Sequence, residues 1–154
     1  MGDPTNGDVG VADLAGVAGT RAFHWWDQSN RVWNGQWTED VKFETALDQP
    51  VGVVTLEAVA IDQPGYLRLE AFDSQGQFLA RVTSPAMELG VSVPVTISDP
   101  SGRIASVRAY GHAGFPVGLT NLEFGFQDQF VTDAGGGFQF MNLPDGTYQV
   151  ELVA

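Results

Sequence analysis

Tyr66-Leu67-Arg68-Leu69-Glu70-Ala71-Phe72-Asp73-Ser74-Gln75-Gly76-Gln77-Phe78-Leu79 is the stretch that decides the fold. Leu67, Leu69 and Ala71 fall on one side of an extended chain, and Tyr66, Arg68, Glu70 and Phe72 fall on the other. This is the period of two that marks a half-buried strand. Asp73-Ser74-Gln75-Gly76 then reads as a turn: a short carboxylate can fold back onto the backbone, and glycine accepts a positive φ. Gln77 to Thr83 is predicted to return as the hairpin partner.

The same grammar extends in both directions. Upstream, Val41 to Thr45 alternates, and Val54, Leu56, Ala58 and Ala60 form one apolar row. Asp62-Gln63-Pro64-Gly65 has proline and glycine placed as a type II turn wants them. Downstream, Val91, Val93, Val95 and Ile97 form another row, closed by Asp99-Pro100-Ser101-Gly102. Ile104–Tyr110 and Val117–Phe126 are two more strands. Turn signals recur about every 8–12 residues with no helical period of useful length, so the sequence predicts an all-β sandwich.

Composition agrees with this reading. The chain has 154 residues, 44% hydrophobic and 17% charged, which is globular and sufficient for a substantial core. Seven Lys+Arg against nineteen Asp+Glu give a net charge of -12. Nucleic-acid binding needs clustered cations, so that class is disfavoured, as is an anionic membrane surface. No apolar stretch approaches the roughly 18 residues of a membrane span. With no cysteine, disulfides and thiol chemistry are excluded. Met1 to Gly19 has neither the basic start nor the apolar run of a secretory signal.

Three segments are expected. Residues 1–22, rich in glycine, read as an arm or leader, with Val11–Ala15 able to form one helical turn. Residues 23–127 make the sandwich. Residues 128–154 read as a separate β-hairpin unit: Thr132–Gly137 is a glycine-rich turn, Phe138–Phe140 a short strand, Asn142–Gly146 a turn, and Thr147–Val153 a strand with Tyr148, Val150 and Leu152 on one face. A lone hairpin is marginal in water, so it must pack against something.

Two resemblances refine this. Leu67–Leu79, Ile104–Gly111 and Leu119–Phe124 resemble the jelly-roll, galactose-binding-like modules of exported bacterial surface proteins, over about residues 41–126. That family closes on an acidic pair before an apolar residue; here the pair is Thr120-Asn121. Thr132-Asp133-Ala134, Phe138-Gln139-Phe140, Leu143–Tyr148 and Val150 are similar to the second half of carboxypeptidase regulatory-like, transthyretin-like domains. Both resemblances imply a non-catalytic extracellular or cell-surface module, with any signal peptide outside this chain.

Trp25, Trp26, Trp33 and Trp37 crowd into thirteen residues among His24, Gln28, Asn30, Asn34 and Gln36. Flat aromatic faces flanked by amides suit sugar rings. The competing reading is that they plug the end of the sandwich; adjacent Trp25 and Trp26 point to opposite faces in a strand, so at least one can face solvent. Tyr66, Tyr110 and His112 are further candidate ligand contacts. His24 and His112 are the only histidines and read as structural. Glu39, Asp40, Asp27, Asp128 and Asp133 offer hard oxygens for one structural calcium, with solvated turn carboxylates as the alternative. There is no Gly-x-Ser-x-Gly elbow, phosphate loop or His-Glu-x-x-His, so no enzyme is predicted. Two functions stand: glycan binding and adhesion through the tryptophan segment, or a self-assembling subunit of a filament, surface layer or virion that pairs its termini with a neighbour's sheet edge.

Overall fold

In the computed structural model, which describes residues 9–14 and 19–125, alternation of apolar and polar residues drives the chain into ten strands, and no helix is present among the described residues. They are β1 (Val9–Asp13), β2 (Arg21–Asp27), β3 (Val32–Asn34), β4 (Phe43–Val51), β5 (Val53–Ala60), β6 (Tyr66–Phe72), β7 (Phe78–Thr83), β8 (Ser92–Ser98), β9 (Ile104–His112) and β10 (Val117–Gly125). Two antiparallel sheets result. Sheet A runs β1-β2-β10-β5-β8, with β3 beside β2; sheet B runs β4-β9-β6-β7. Face to face they form a β-sandwich.

The inward faces are the rows that the sequence marks. Val54, Leu56, Ala58 and Ala60 on β5 meet Leu67, Leu69 and Ala71 on β6 in one core, joined by Val95, Ile97, Val107, Ala109, Val117 and Leu119. Each fully buried leucine or valine there contributes roughly 1.5–3 kcal/mol. A smaller cluster, Leu14, Ala22, Val59 and Ile61, lies on the outer side of sheet A. Val91 differs from its row: it precedes β8 and is exposed.

Both Asp-x-x-Gly turns form as expected. Asp73 Oδ1 accepts the Gln75 and Gln77 N–H groups, and Gly76 takes φ 74°. Asp99 Oδ2 accepts the Arg103 N–H, and Gly102 takes φ 64°. The type II turn expected at Gly65 does not form. Among the described residues the positive-φ glycines are Gly19, Gly76, Gly90, Gly102 and Gly114. Gly65 instead exchanges backbone hydrogen bonds with Met87, and a Cβ on it would press on Phe115 Cβ at 3.0 Å.

Within the N-terminal segment, Val9–Asp13 forms a strand where its glycines suggest a loop. Val9–Asp13 pairs with Trp25–Arg21 as an edge strand, so no helical turn forms over Val11–Asp13. Gly10 lies under the Trp33 ring, 3.3 Å from where its Cβ would sit, so a larger residue would push that ring aside. The hairpin unit expected over 128–154 lies outside the described residues.

Candidate binding face

The outward side of sheet B gathers the polar members of every strand in it. Register pairs Tyr66 with His112, Arg68 with Tyr110, Glu70 with Arg108 and Phe72 with Ser106. Glu44 stands beside Arg108 on one flank, and Arg81 beside Glu70 on the other. The result is a row Glu44–Arg108–Glu70–Arg81 that alternates in charge across all four strands. Arg108 Nε donates to Glu44 Oε1 at 2.6 Å, and its Nη1 lies 3.8 Å from Glu70 Oε2. Arg81 Nη2 reaches Glu70 Oε1 at 2.7 Å. Opposite charges directly across strands stabilise a sheet pair modestly, and a buried carboxylate such as Glu70 requires such partners.

The neighbouring rows continue the network. Tyr110 donates its hydroxyl to Glu70 at 3.1 Å; burial first, then this carboxylate, raises the phenol above its ordinary range. Lys42 Nζ sits 5.1 Å over the Tyr110 ring. Arg68 Nη2 lies 2.7 Å from His112 Nε2, while His112 Nδ1 lies 2.7 Å from Glu39 Oε1. A guanidinium only donates, so Nε2 accepts and the ring proton is on Nδ1, given to Glu39. The His112 bond, helped by the Ala113 N–H, holds the Glu39 carboxyl below the usual carboxylate range.

Where the ladder meets the Asp73–Gly76 turn, the surface opens into a pocket of about 340 Å³. Its walls include Phe72, Arg108, Glu44, Ser106 and Gly76. The Arg108 guanidinium stacks 5.0 Å over the Phe72 ring. One aromatic, a guanidinium, a carboxylate and a hydroxyl thus converge on a cleft at the small end of ligand-site volumes.

The seven residues singled out in the sequence do not form one site. Trp37 is core: it is 2% exposed, stands edge-on to Phe43 at 5.5 Å, and donates its indole N–H to the Phe23 carbonyl at 2.9 Å. Trp25 packs on the core from the flank and donates to the Gln36 carbonyl. Trp26 and Trp33 meet edge-to-face at 5.4 Å on the outer side of sheet A, where Trp33 is 41% exposed. Tyr66, Tyr110 and His112 stand together on the opposite face of the sandwich.

Compared with known proteins, the sequence matches no family model, and no curated protein matches it significantly.

Sequence reasoning missed Arg68, Glu70, Arg108 and Phe72. Alternation puts Arg68, Glu70 and Phe72 on one face with Tyr66; what it lacks is the register that sets Arg108 beside Glu70. Among the described residues no group of three or more His, Asp and Glu converges as metal ligands would. Asp27 Oδ1 caps its own turn through the Ser29 and Asn30 N–H groups, and Oδ2 accepts from Asn30 Nδ2. Glu39 is engaged by His112. Asp128 and Asp133 lie outside the described residues.

Proposed function

We propose that this domain is a non-catalytic saccharide-binding module of an extracellular or surface protein, and that it binds through the outward face of sheet B. The observation that carries the reading is the pocket in which Phe72, Arg108, Glu44 and Ser106 converge. A sugar ring offers an apolar C–H face and a rim of hydroxyls. Phe72, its ring faced by Arg108, supplies an apolar wall for the first; the guanidinium, carboxylate and hydroxyl suit the second. Glu44 and Glu70 are each held by arginine, which fixes the cleft's polar wall in place. The resemblance to jelly-roll modules of exported proteins supports the extracellular setting. The exposed Trp33, beside Trp26 on the other face, is the competing platform.

A saccharide array followed by calorimetry tests this on wild type, Phe72→Ala, Ser106→Trp and Trp33→Ala. Binding that weakens at least about tenfold, or roughly 1.4 kcal/mol, in the first two variants and is unchanged in the third supports the face. No saccharide binding at all rejects the function. Loss confined to Trp33→Ala moves the site to sheet A.

A further inference from the structure

Two cations on the outward face of sheet B have no acidic partner among the described residues. Phe43 pairs with Ala109, which brings Lys42 to Tyr110 on β9; Tyr110 pairs in turn with Arg68 on β6, and Arg68 with Thr83 on β7. The row Lys42–Tyr110–Arg68–Thr83 therefore runs beside the ladder Glu44–Arg108–Glu70–Arg81, with two positive charges and no negative one. Lys42 Nζ lies 5.1 Å over the Tyr110 ring. Arg68 is half-buried, and its hydrogen bonds go to neutral acceptors, Thr83 Oγ1 at 3.4 Å and His112 Nε2 at 2.7 Å. The carboxylates around the row are committed elsewhere. Glu44 is held by Arg108, Glu70 by Arg81 and the Tyr110 hydroxyl, and Glu39 by His112 and the Ala113 N–H.

We infer that Lys42 and Arg68 hold an anionic group of the ligand, a carboxylate or a sulfate, so that the saccharide taken by this face is an acidic one. The inference rests on saccharide binding by sheet B. A guanidinium presents a planar fork of donors that matches a carboxylate or sulfate, and an ammonium adds a point charge from the other side of the Tyr110 ring. Tyr66, 36% exposed, pairs with His112 at the end of the same face and adds a second aromatic surface there. The spacing also sets the size of the ligand. Arg68 and Phe72 are four residues apart on β6, about 13 Å at about 3.3 Å per residue. A single sugar ring does not span that distance. The ligand is therefore an oligosaccharide, with one unit in the Phe72 cleft and an acidic unit further along, over Tyr110.

The test is calorimetry on the full chain at about 0.15 M salt, where a Debye length of about 8 Å screens the rest of the chain's charge. The probes are a uronic-acid oligosaccharide, the same oligosaccharide with its carboxyl groups reduced to hydroxymethyl groups, a sulfated oligosaccharide and a polyglutamate peptide. The variants are Lys42→Ala, Arg68→Gln and, as a control of equal net charge, Arg31→Gln; thermal melting verifies that all are folded. The uronate or the sulfated oligosaccharide is expected to bind at least about tenfold more tightly than the reduced form, and whichever does so identifies the anionic group. Lys42→Ala and Arg68→Gln are expected to erase that advantage and to keep binding of the reduced form, while Arg31→Gln changes neither. Reduced and acidic forms that bind equally overturn the inference and leave the saccharide reading standing; no binding by any saccharide removes both. An advantage that survives both Lys42→Ala and Arg68→Gln, or that is lost in Arg31→Gln, overturns the site. Polyglutamate bound as tightly as the acidic saccharides overturns the ligand class.

Discussion

Gly111 donates its backbone N–H to the Trp37 carbonyl at 3.1 Å, and this bond is one of those that link the two sheets. Gly111 belongs to β9 of sheet B, while Trp37 is bridged to Val117 at the start of β10 in sheet A. A Cβ on Gly111 would run into the Phe115 carbonyl oxygen and lie 2.9 Å from the Trp37 oxygen. Both obstacles are backbone and cannot swing away. Gly111→Ala is expected to cost about 3 kcal/mol or more, measured by urea unfolding. A loss under about 1 kcal/mol would show that the two sheets are not joined so tightly.

The two kinds of tryptophan separate cleanly by stability. Trp37→Ala empties a core position and strands the Phe23 carbonyl, so a loss of about 3–5 kcal/mol is expected. Trp33→Ala removes a ring that is 41% exposed and is expected to cost about 1 kcal/mol or less. Denaturation midpoints of the two variants, measured side by side, would contradict the assignment if the order were reversed.

His24 is 6% exposed, and among the described residues neither ring nitrogen has a hydrogen-bond partner. Burying an unsatisfied polar group costs about 1–3 kcal/mol, whereas an apolar side chain of similar size avoids that cost. His24→Leu is therefore expected to hold stability level or raise it by about 1 kcal/mol. Gly35→Ala is expected to lower it, because the new methyl would stand 2.8 Å from His24 Nε2 and 2.9 Å from Leu14 Cδ1. A marked loss in His24→Leu would point to a partner for the imidazole.

Acid is expected to unfold the domain through a few identifiable carboxylates. The Arg103 side chain, bonding to both carboxylate oxygens, holds Asp99 below the usual range, and the His112 bond does the same for Glu39. Their folded values lie beneath the unfolded value of about 4, so the unfolded chain takes up protons first as pH falls. The stability they add is complete above about pH 5 and is lost on descent through 4 and below. Asp99→Asn is expected to lower the melting temperature by about 3 °C at pH 7, with the gap from wild type narrowing as pH falls below about 4. A gap that stays constant with pH would refute the linkage.

Alternation alone makes the rows of β5 and β6 legible, because a half-buried strand leaves no freedom over which residues face the core. The Asp73 and Asp99 turns are equally legible, since side-chain capping and glycine are local chemistry. β1 is not: Gly10 reads as loop until the Trp33 ring that crosses it is in view. Gly65 misleads for the same reason, its requirement being set by Phe115, which is fifty residues away. The four tryptophans look like one site by proximity in sequence, yet strand pairing sends Trp37 inward and Trp33 outward. The charge ladder depends on register across four strands, which no single strand encodes.

The outward side of sheet B holds Lys42, Arg68, Arg81 and Arg108, four of the seven cations in the chain. Of the thirteen carboxylates among the described residues, Glu39, Glu44 and Glu70 are there, leaving ten against three arginines elsewhere. Among the described residues, cations are therefore concentrated on that face. Adsorbed onto a positively charged bead, the domain turns its acidic flanks to the matrix and shows the Phe72 cleft to the buffer. Ion-exchange capture is therefore expected to favour an orientation that leaves the cleft open to the flow.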